Sequence, residues 1–360
     1  MSSSDMPGPL VSFVMPAFNA SSTITDSIET ILAQTSGNWE LVIVDDGSTD
    51  STLAAAHEFS DRSDRVRVLH QENQGVSIAR NNAMRVSRGD YIAFIDADDV
   101  VVPDYIEKLE ALLGDERPQV IALTTRTMPR RTVFGFGDYC GNASGFLRAA
   151  LANKHATFPC WAFVVSRSLI SENGLEFVAG RRTGEDQEFV LKALLLAKTC
   201  VSVGTENVFY VYESNRRGSA MSINIEGQFD YPMAMEEVLR FARKQLLLNR
   251  TGSDVLTLLA NRCVDACHYA TQVAIENGAG VRLVAPLVDE VLNKVDFSFF
   301  NDRTLNRVNR RFLLLWRGGP VVLWSAMRVE LFALHAGRKA KDALSRMRLK
   351  EGAKNDPHSF

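Results

Sequence analysis

The 360 residues are 46% hydrophobic and 23% charged, enough apolar material for one large or two ordinary cores and too much for a chain disordered throughout. The composition is neither collagen-like nor cysteine-dense, and its five scattered cysteines, an odd number, suit a reducing compartment. The formal charge of -3 conceals a division: from Arg303 to Lys350 twelve Lys/Arg face only Glu330 and Asp342, so this stretch carries +10 and the remainder -13. An acidic body with a basic tail implies that the tail faces something anionic.

Met1–Pro9 reads as a flexible start without the basic-then-apolar pattern of a signal peptide. Leu10–Met15 is apolar and β-prone, and Thr23–Gln34 reads as a helix. Glu40–Val44 is a buried strand that ends abruptly in Asp45-Asp46-Gly47-Ser48, with Thr49 or Asp50 placed to cap a helix through about Phe59. Val66–Leu69 is a short strand, Val76–Val86 a helix, and Tyr91–Ile95 a buried strand ending in Asp96-Ala97-Asp98-Asp99. Pro103 suits the first turn of a helix through Leu113. Continuous apolar strands alternating with helices predict a parallel sheet covered on both faces, in which ligands bind beyond the carboxyl ends of the strands.

The middle of the chain is mixed. Gln119–Thr124, Trp161–Val165 and Val208–Tyr212 read as strands, and Thr183–Leu196 as a helix with acidic residues in its first turn. After Glu226 strand signals fade, and helices are expected over Tyr231–Leu248, Ser253–Glu276, Val281–Val295 and Pro320–Leu349. The predicted architecture is a doubly wound mixed α/β sheet over 10–225, in a first half 10–105 and a second half 106–225, followed by a helical region over 226–360.

Three acidic clusters carry the chemistry. Asp96 and Asp98, one residue apart at a strand end, offer the hard oxygens that Mg2+ or Mn2+ take together with substrate phosphates, although Asp-rich turns are common without any metal. Asp45 and Asp46 follow the second strand and can accept hydrogen bonds from a base or ribose, while Asp50 serves as a cap. Glu185-Asp186 opens a helix, where carboxylates stabilise the helix end, and where a general base on the acceptor side of a cleft would also stand.

In order, Val11–Asn19, Val44–Asp50, Asn73-Gln74-Gly75 with Ala79-Arg80-Asn81, Gly89–Asp99 and Glu185-Asp186 resemble glycosyltransferase family 2, strongly over Val11–Asp104 and more loosely over Cys160–Ser222. The resemblance implies a GT-A fold, a nucleotide-sugar donor of the UDP type, a divalent cation (Mn2+ or Mg2+) and inverting transfer to a glycan or lipid-linked glycan acceptor in bacterial surface polysaccharide or glycolipid synthesis. By the same resemblance Pro16, Ala17 and Phe18 line the nucleotide, Asp45 and Asp46 contact the base, and Gly75 and Arg80 border the site. Asp96 and Ala97 lie by the ribose, Asp98 with Asp96 holds the metal, and Asp186 is the base with Glu185 beside it. Arg216 or Arg217 would clasp the diphosphate; relatives often read Tyr-Arg where this chain has Tyr212-Glu213.

Other features weigh less. Cys263 and Cys267, at i and i+4 beside His268, lack the further ligands of a metal site and read as a buried helix face. Trp161 could floor an acceptor sugar or belong to the core. Gly135-Phe136-Gly137 lacks the Lys-Ser/Thr of a phosphate loop. A nucleotidyltransferase would need a basic glycine-rich loop where Pro16-Ala17-Phe18-Asn19 stands, and intact Asp98 and Asp186 argue against a non-catalytic scaffold. The basic tail has no stacking or groove-reading module, so nucleic acid is not the expected partner. Helical spacing aligns Leu323, Met327, Leu331 and Leu334 of the tail on one stripe, extended by Leu344 and Met347, beside Arg328, Arg338, Lys339, Lys341 and Arg346. Trp324 and Phe332 suit an interface, and the pattern is that of a helix lying on an anionic membrane, although such a stripe also serves packing on the acidic body or an oligomer contact; the family resemblance favours the membrane and implies its cytoplasmic face.

Overall fold

The computed structural model describes residues 10–114, 117–128, 132–153, 156–213, 225–248, 252–295, 305–319, 321–323 and 325–328. Its first elements follow the hydrophobic pattern closely: β1 (Val11–Ala17), α1 (Ile24–Leu32), β2 (Trp39–Asp46), α2 (Thr52–Ser60), β3 (Val66–Gln71), α3 (Val76–Val86) and β4 (Tyr91–Phe94). Every residue of β1, β2 and β4 is buried, as expected of strands covered on both faces. Next come β5 (Val100–Val101), α4 (Tyr105–Leu113), β6 (Val120–Ala122), β7 (Thr124–Met128), β8 (Val133–Phe134), β9 (Tyr139–Asn142) and α5 (Ala143–Ala152). A short 3-10 turn, Cys160–Ala162, leads into β10 (Phe163–Ser166), α6 (Arg167–Asn173), α7 (Glu185–Leu196), β11 (Thr199–Ser202) and β12 (Val208–Glu213).

The main sheet has eight strands in the order β3-β2-β1-β4-β10-β6-β11-β9. β1 to β4 are mutually parallel, β10 runs antiparallel to both its neighbours, and β9 closes the edge antiparallel to β11. A second sheet has the order β5-β12-β7-β8. The apolar run expected as one strand over Gln119–Thr124 is two strands in two sheets. The change of sheet falls at Leu123, whose N–H donates to the Ala162 carbonyl at 2.8 Å, and Thr124 Oγ1 then donates to the Val203 carbonyl at 3.0 Å. Trp161, expected at the start of a strand, stands instead in the 3-10 turn, because Ala162 N–H bonds back to the Pro159 carbonyl.

One buried carboxylate ties the amino ends of the main sheet together. Glu40 of β2 accepts from Ser12 Oγ of β1 and from Arg88 N–H before β4, each at 2.5 Å, and pairs with Arg67 of β3 at 2.8 Å. Ser12 Oγ in turn accepts from Gly89 N–H at 2.8 Å.

The chain then turns helical, with α8 (Ile225–Gln228), α9 (Asp230–Leu247), α10 (Ser253–Glu276), α11 (Val281–Leu292) and α12 (Arg307–Arg317). It divides into two compact units, Met1–Arg262 and Cys263–Phe360, and the division falls inside α10. Among the described residues the elements from Ile225 onward are all helices; α9 belongs to the first unit, where it packs on α7 and buries Met235, Val238 and Leu239. In the second unit Trp316 Nε1 of α12 donates to Asp289 of α11 at 2.6 Å, and Phe312 meets His268 of α10 with ring centroids 5.1 Å apart.

α12 was not among the expected helices. Asn306 caps it by accepting from Asn309 N–H at 2.9 Å. The tail stripe is corrected in part: Leu323 and Met327 are 4% and 1% exposed, and Leu323 lies beside Val284, Val288 and Trp316, so these two are core rather than surface. Trp324 and the rest of the stripe, from Leu331 onward, lie outside the described residues, as do Met1–Pro9. Among the described residues no helix is long and apolar enough to cross a membrane.

Removing the Glu40 carboxylate leaves the Ser12 hydroxyl and the Arg88 N–H without their acceptor and Arg67 without its carboxylate, in a largely buried setting. Glu40→Ala is expected to lower unfolding free energy by about 3 kcal/mol, measured by urea titration, with Glu40→Gln losing clearly less.

Candidate active site

The loops leaving β1, β2 and β4 converge at the carboxyl edge of the main sheet and are tied to one another. Asn19 N–H donates to Ser48 Oγ at 3.0 Å, Thr49 N–H donates to Asn19 Oδ1 at 2.8 Å, and Thr23 Oγ1 donates to the Ala97 carbonyl at 2.9 Å. Pro16 and Ala17 are buried at the end of β1, while Phe18, just beyond, is 51% exposed.

The two aspartates that end β2 are buried and serve the neighbouring loop. Asp46 accepts from Gln71 Nε2 at 2.7 Å, Gln74 N–H at 2.8 Å and Gly75 N–H at 2.9 Å. Asp45 accepts from Ser48 N–H at 3.1 Å and contacts His70 Nδ1 at 2.9 Å. They therefore fold the 71–75 loop against the 45–48 turn. Gly47 is required there: its φ is +73° and a Cβ would lie 2.7 Å from Asn73 N.

Arg80 is the hub. It projects from α3, is buried, and reaches Asp96 Oδ1 with Nη2 at 2.9 Å and Glu185 Oε1 with Nη1 at 3.1 Å. Its guanidinium also lies over the Phe177 ring, 5.2 Å from the centroid. Burial alone would weaken its charge, but Cys160, Asp96, Glu185 and Asp186 around it raise its pKa. Asp96 and Glu185, 16 and 105 positions from Arg80 in sequence, are thus gathered at one cation, where the β4 exit meets the head of α7.

Asp186, next to Glu185 at the start of α7, is pushed up to about 7, first by burial and then by the negative charge of Glu185; Arg80 and the Gln187 N–H, 2.7 Å from its Oδ1, hold it back only partly. A carboxylate in this range exchanges protons near neutral pH, as a general base must. α7 begins at Gly184, whose φ is +82° and which sits against Tyr231 so closely that a Cβ would fall 2.9 Å from the tyrosine Cα.

On the far side of the Asp96–Asp99 turn stands Tyr210 of β12, to which the sequence alone assigned no role. Its buried hydroxyl donates to Asp99 Oδ2 at 2.6 Å and accepts from Asp96 N–H at 3.2 Å; burial, and then Asp99, push its pKa well up. The alternation Val208, Tyr210, Tyr212 was the available signal, since it sets both tyrosines on one strand face. Trp161 stacks on them, with centroids 5.0 Å from Tyr210 and 5.5 Å from Tyr212. Cys160, buried among these groups, also carried no signal of its own; burial pushes its thiol well up. Asp98 lies in the same turn and is partly exposed. Arg216 and Arg217 lie outside the described residues. Among the described residues no set of three or more His, Cys, Asp or Glu side chains forms a metal cage, and Cys263 and Cys267 are buried.

Comparison with known proteins agrees with this geometry. The family model "Glycosyl transferase family 2" matches residues 12–173, and Glycosyltransferase GlyG of Streptococcus pneumoniae is 31% identical over 268 residues, 69% of this chain and 84% of its own length. The chain belongs to glycosyltransferase family 2. EpsH of Bacillus subtilis is 33% identical over 214 residues, 57% of this chain and 61% of its own, so this chain spans under two thirds of that relative. WfgD of Escherichia coli, a UDP-Glc:alpha-D-GlcNAc-diphosphoundecaprenol beta-1,3-glucosyltransferase, is 43% identical over 99 residues, 27% of this chain and 38% of its own. The crystal structure of Staphylococcus aureus TarS 1-349 in complex with UDP-GlcNAc superposes with a TM-score of 0.74 at 17% identity, covering 90% of this chain and 91% of that one. The GT-A type of mixed sheet expected from sequence is therefore the observed fold.

The raised pKa of Asp186 has a thermodynamic signature. Its folded value of about 7 exceeds the ordinary unfolded value of 3.8, so between these pH values the folded chain binds more protons than the unfolded one, and stability is lost as pH rises. Asp186→Asn removes that loss. The variant should melt at the wild-type temperature near pH 4, gain over wild type progressively to about pH 7, and keep a constant advantage above, as read by calorimetry without ligand.

Proposed function

We propose that this chain is an inverting glycosyltransferase that moves a sugar from a nucleotide-diphosphate sugar of the UDP type to an acceptor hydroxyl in bacterial surface polysaccharide or glycolipid synthesis. The observation that carries the reading is the gathering of Asp96, Glu185 and Asp186 around buried Arg80, with Asp186 tuned to about 7. TarS holds UDP-GlcNAc on the same fold, and WfgD acts on a lipid-linked diphosphate acceptor; both support the donor and acceptor classes proposed.

The donor would lie across the carboxyl edge of the sheet. Pro16, Ala17 and Phe18 flank the base, with Asp45, Asp46 and Gly75 shaping the adjoining wall. Arg80 fixes Asp96 and Ala97 beside the ribose, and Arg216 or Arg217 closes on the diphosphate. The hard oxygens of Asp98 and Asp96 fit a divalent cation of the Mn2+ or Mg2+ type, which takes its remaining ligands from phosphates and water. Such an ion, when bound, supplies charge neutralisation on the departing diphosphate.

Asp186 accepts the proton of the acceptor hydroxyl. As the acceptor oxygen bonds to the anomeric carbon, the bond from that carbon to the diphosphate oxygen breaks and its electron pair leaves with the nucleoside diphosphate. One displacement from the opposite face inverts the configuration. Glu185, held by Arg80, keeps the negative field at Asp186 and thereby its basicity. Trp161, fixed by its tyrosine stack, offers an apolar surface for the acceptor sugar. The site works at the cytoplasmic face of the membrane, where the basic C-terminal region meets anionic lipid.

Asp186→Asn should bind donor with near wild-type affinity by calorimetry yet transfer at least about 100-fold more slowly, and the wild-type kcat/KM for acceptor should rise with pH up to about 7 and then level; NMR of the product anomeric centre should show inversion. Near-normal turnover in the variant removes Asp186 from the mechanism. Asp98→Ala should abolish the metal dependence of donor binding while leaving the ligand-free melting temperature within a few degrees of wild type.

A further inference from the structure

Tyr210 meets the Asp96–Asp99 turn from the second sheet and has no part in the proposed transfer. Its backbone is fixed from both sides: β12 lies between β5 and β7, and Tyr210 stands opposite Val101 of the one and Thr125 of the other. The residue is buried, and its ring stacks on Trp161 at 5.0 Å. A phenylalanine would fill that space equally well. What a tyrosine adds is the hydroxyl, and both of its capacities are engaged by the turn. The O–H donates to Asp99 Oδ2 at 2.6 Å, and the oxygen accepts from Asp96 N–H at 3.2 Å.

The three carboxylates of the turn are not equivalent. Asp96 Oδ1 is taken by Arg80 Nη2 at 2.9 Å. Asp99 is fully buried and bonded inward to Tyr210. Asp98, between them, is partly exposed. Asp99 N–H closes the turn on the Asp96 carbonyl at 3.1 Å, and the Ala97 carbonyl accepts from Thr23 Oγ1 at 2.9 Å. Both chain neighbours of Asp98 are therefore held by groups outside the turn. Keeping a carboxylate as deeply buried as Asp99 costs stability, yet its charge lies beside Asp98, where a cation would be attracted. The Tyr210 hydroxyl is neutral, so its bond fixes Asp99 and leaves that charge in place. A hard divalent cation needs oxygen ligands at nearly fixed distances, and a ligand set is effective when the residues around it lock its geometry beforehand.

We propose that Tyr210 is a positioning residue for the divalent cation: its hydroxyl fixes the Asp96–Asp99 turn so that Asp98 is in place before metal and donor arrive. The inference rests on the reading of Asp98 as the carboxylate that holds the metal. It brings into that site a residue of the second sheet, 111 positions from Asp99 in sequence.

The test uses the full chain with UDP as probe, titrated by calorimetry with and without Mn2+. The wild-type chain should bind UDP more tightly with Mn2+. Tyr210→Phe keeps the ring and its stack on Trp161 and removes only the hydroxyl. It should weaken UDP binding in Mn2+ by at least about tenfold, the scale of a lost hydrogen bond to a charged group, and leave binding without Mn2+ close to wild type. In the metal-free, ligand-free chain, amide hydrogen exchange over 95–101 should quicken in the variant, while the amides of β1 and β2 keep their protection, which certifies the fold. If wild-type binding responds to Mn2+ and the variant matches it in both measurements, Tyr210 positions nothing and the cation reading survives. Faster exchange with an undiminished Mn2+ response makes the hydroxyl a structural bond alone and overturns the proposal, as does an equal loss of UDP affinity with and without Mn2+. If UDP binding by the wild-type chain is indifferent to both Mn2+ and Mg2+, the cation reading fails and this proposal with it.

Discussion

The buried guanidinium of Arg80 is the contact on which the site depends. A cation withdrawn from water is tolerable only with anions in good geometry, and it finds one at the exit of β4 and another at the head of α7. The demand is mutual. Asp96 and Glu185 would repel each other across a shared dry space without Arg80, and Arg80 would not remain buried without them. The half of the sheet proposed to hold the donor and the helix that bears Asp186 are thereby locked in one relative position by charge, in addition to the apolar packing of Phe94, Phe177 and Phe189, whose rings meet edge to face and stacked at 4.3 to 5.5 Å.

The second sheet provides the complementary restraint. β5 pairs antiparallel with β12 through Val100 and Val101, immediately after the Asp96–Asp99 turn. Tyr210 then grips both ends of that turn with a single hydroxyl, donating at one end and accepting at the other. The turn that presents Asp98 is thus clamped from α3 by Arg80 and from β12 by Tyr210. Positioning a carboxylate from two sides is what a metal or diphosphate site requires, since small displacements at such centres are costly. The same strand precedes Arg216 and Arg217 in the chain, so the element that fixes the carboxylate turn is followed within a few residues by those proposed to close on the diphosphate.

Much of this was legible because it is local. Buried strands announce themselves as apolar runs, and Val76–Val86 and Ser253–Glu276 coincide with their sequence-derived bounds. The acidic clusters at strand ends needed only the rule for open α/β sheets. What escaped reading was decided by partners distant in sequence. Arg80 and Glu185 are joined across 105 positions, and no periodicity reveals that. The role of Asp46 in shaping its neighbourhood was likewise not legible: three donors of the 71–75 stretch take its oxygens. The short strands β5, β8 and β9 are too brief for alternation to register, and their pairing comes from the neighbouring strands. α12 was legible but unread: Phe312, Leu313 and Trp316 recur at helical spacing on one face with arginines on the other, so its period was an available signal.

The proposed base, Asp186, is a cost that the surrounding helix must absorb. Holding Asp186 near 7 means that burial and the Glu185 charge oppose its ionised form, and a helix start under such strain would tend to unwind. α7 is secured behind the site. Glu188, one turn on and 1% exposed, is paired with Arg181 at 2.7 Å and Lys192 at 2.6 Å, and Arg182 N–H and Thr183 Oγ1 anchor the preceding loop to Asp230 and the Gly227 carbonyl at 2.9 and 3.0 Å. Gly184, free to take a left-handed φ, lets the loop pass over Tyr231 and deliver Glu185 and Asp186 at the first turn. None of these contacts engages the Asp186 carboxylate, so they can stabilise the helix without neutralising it. The acid–base tuning and its structural support are separated by a single helical turn, which is why a carboxylate destabilising in its charged form can persist at the head of an otherwise firmly held helix.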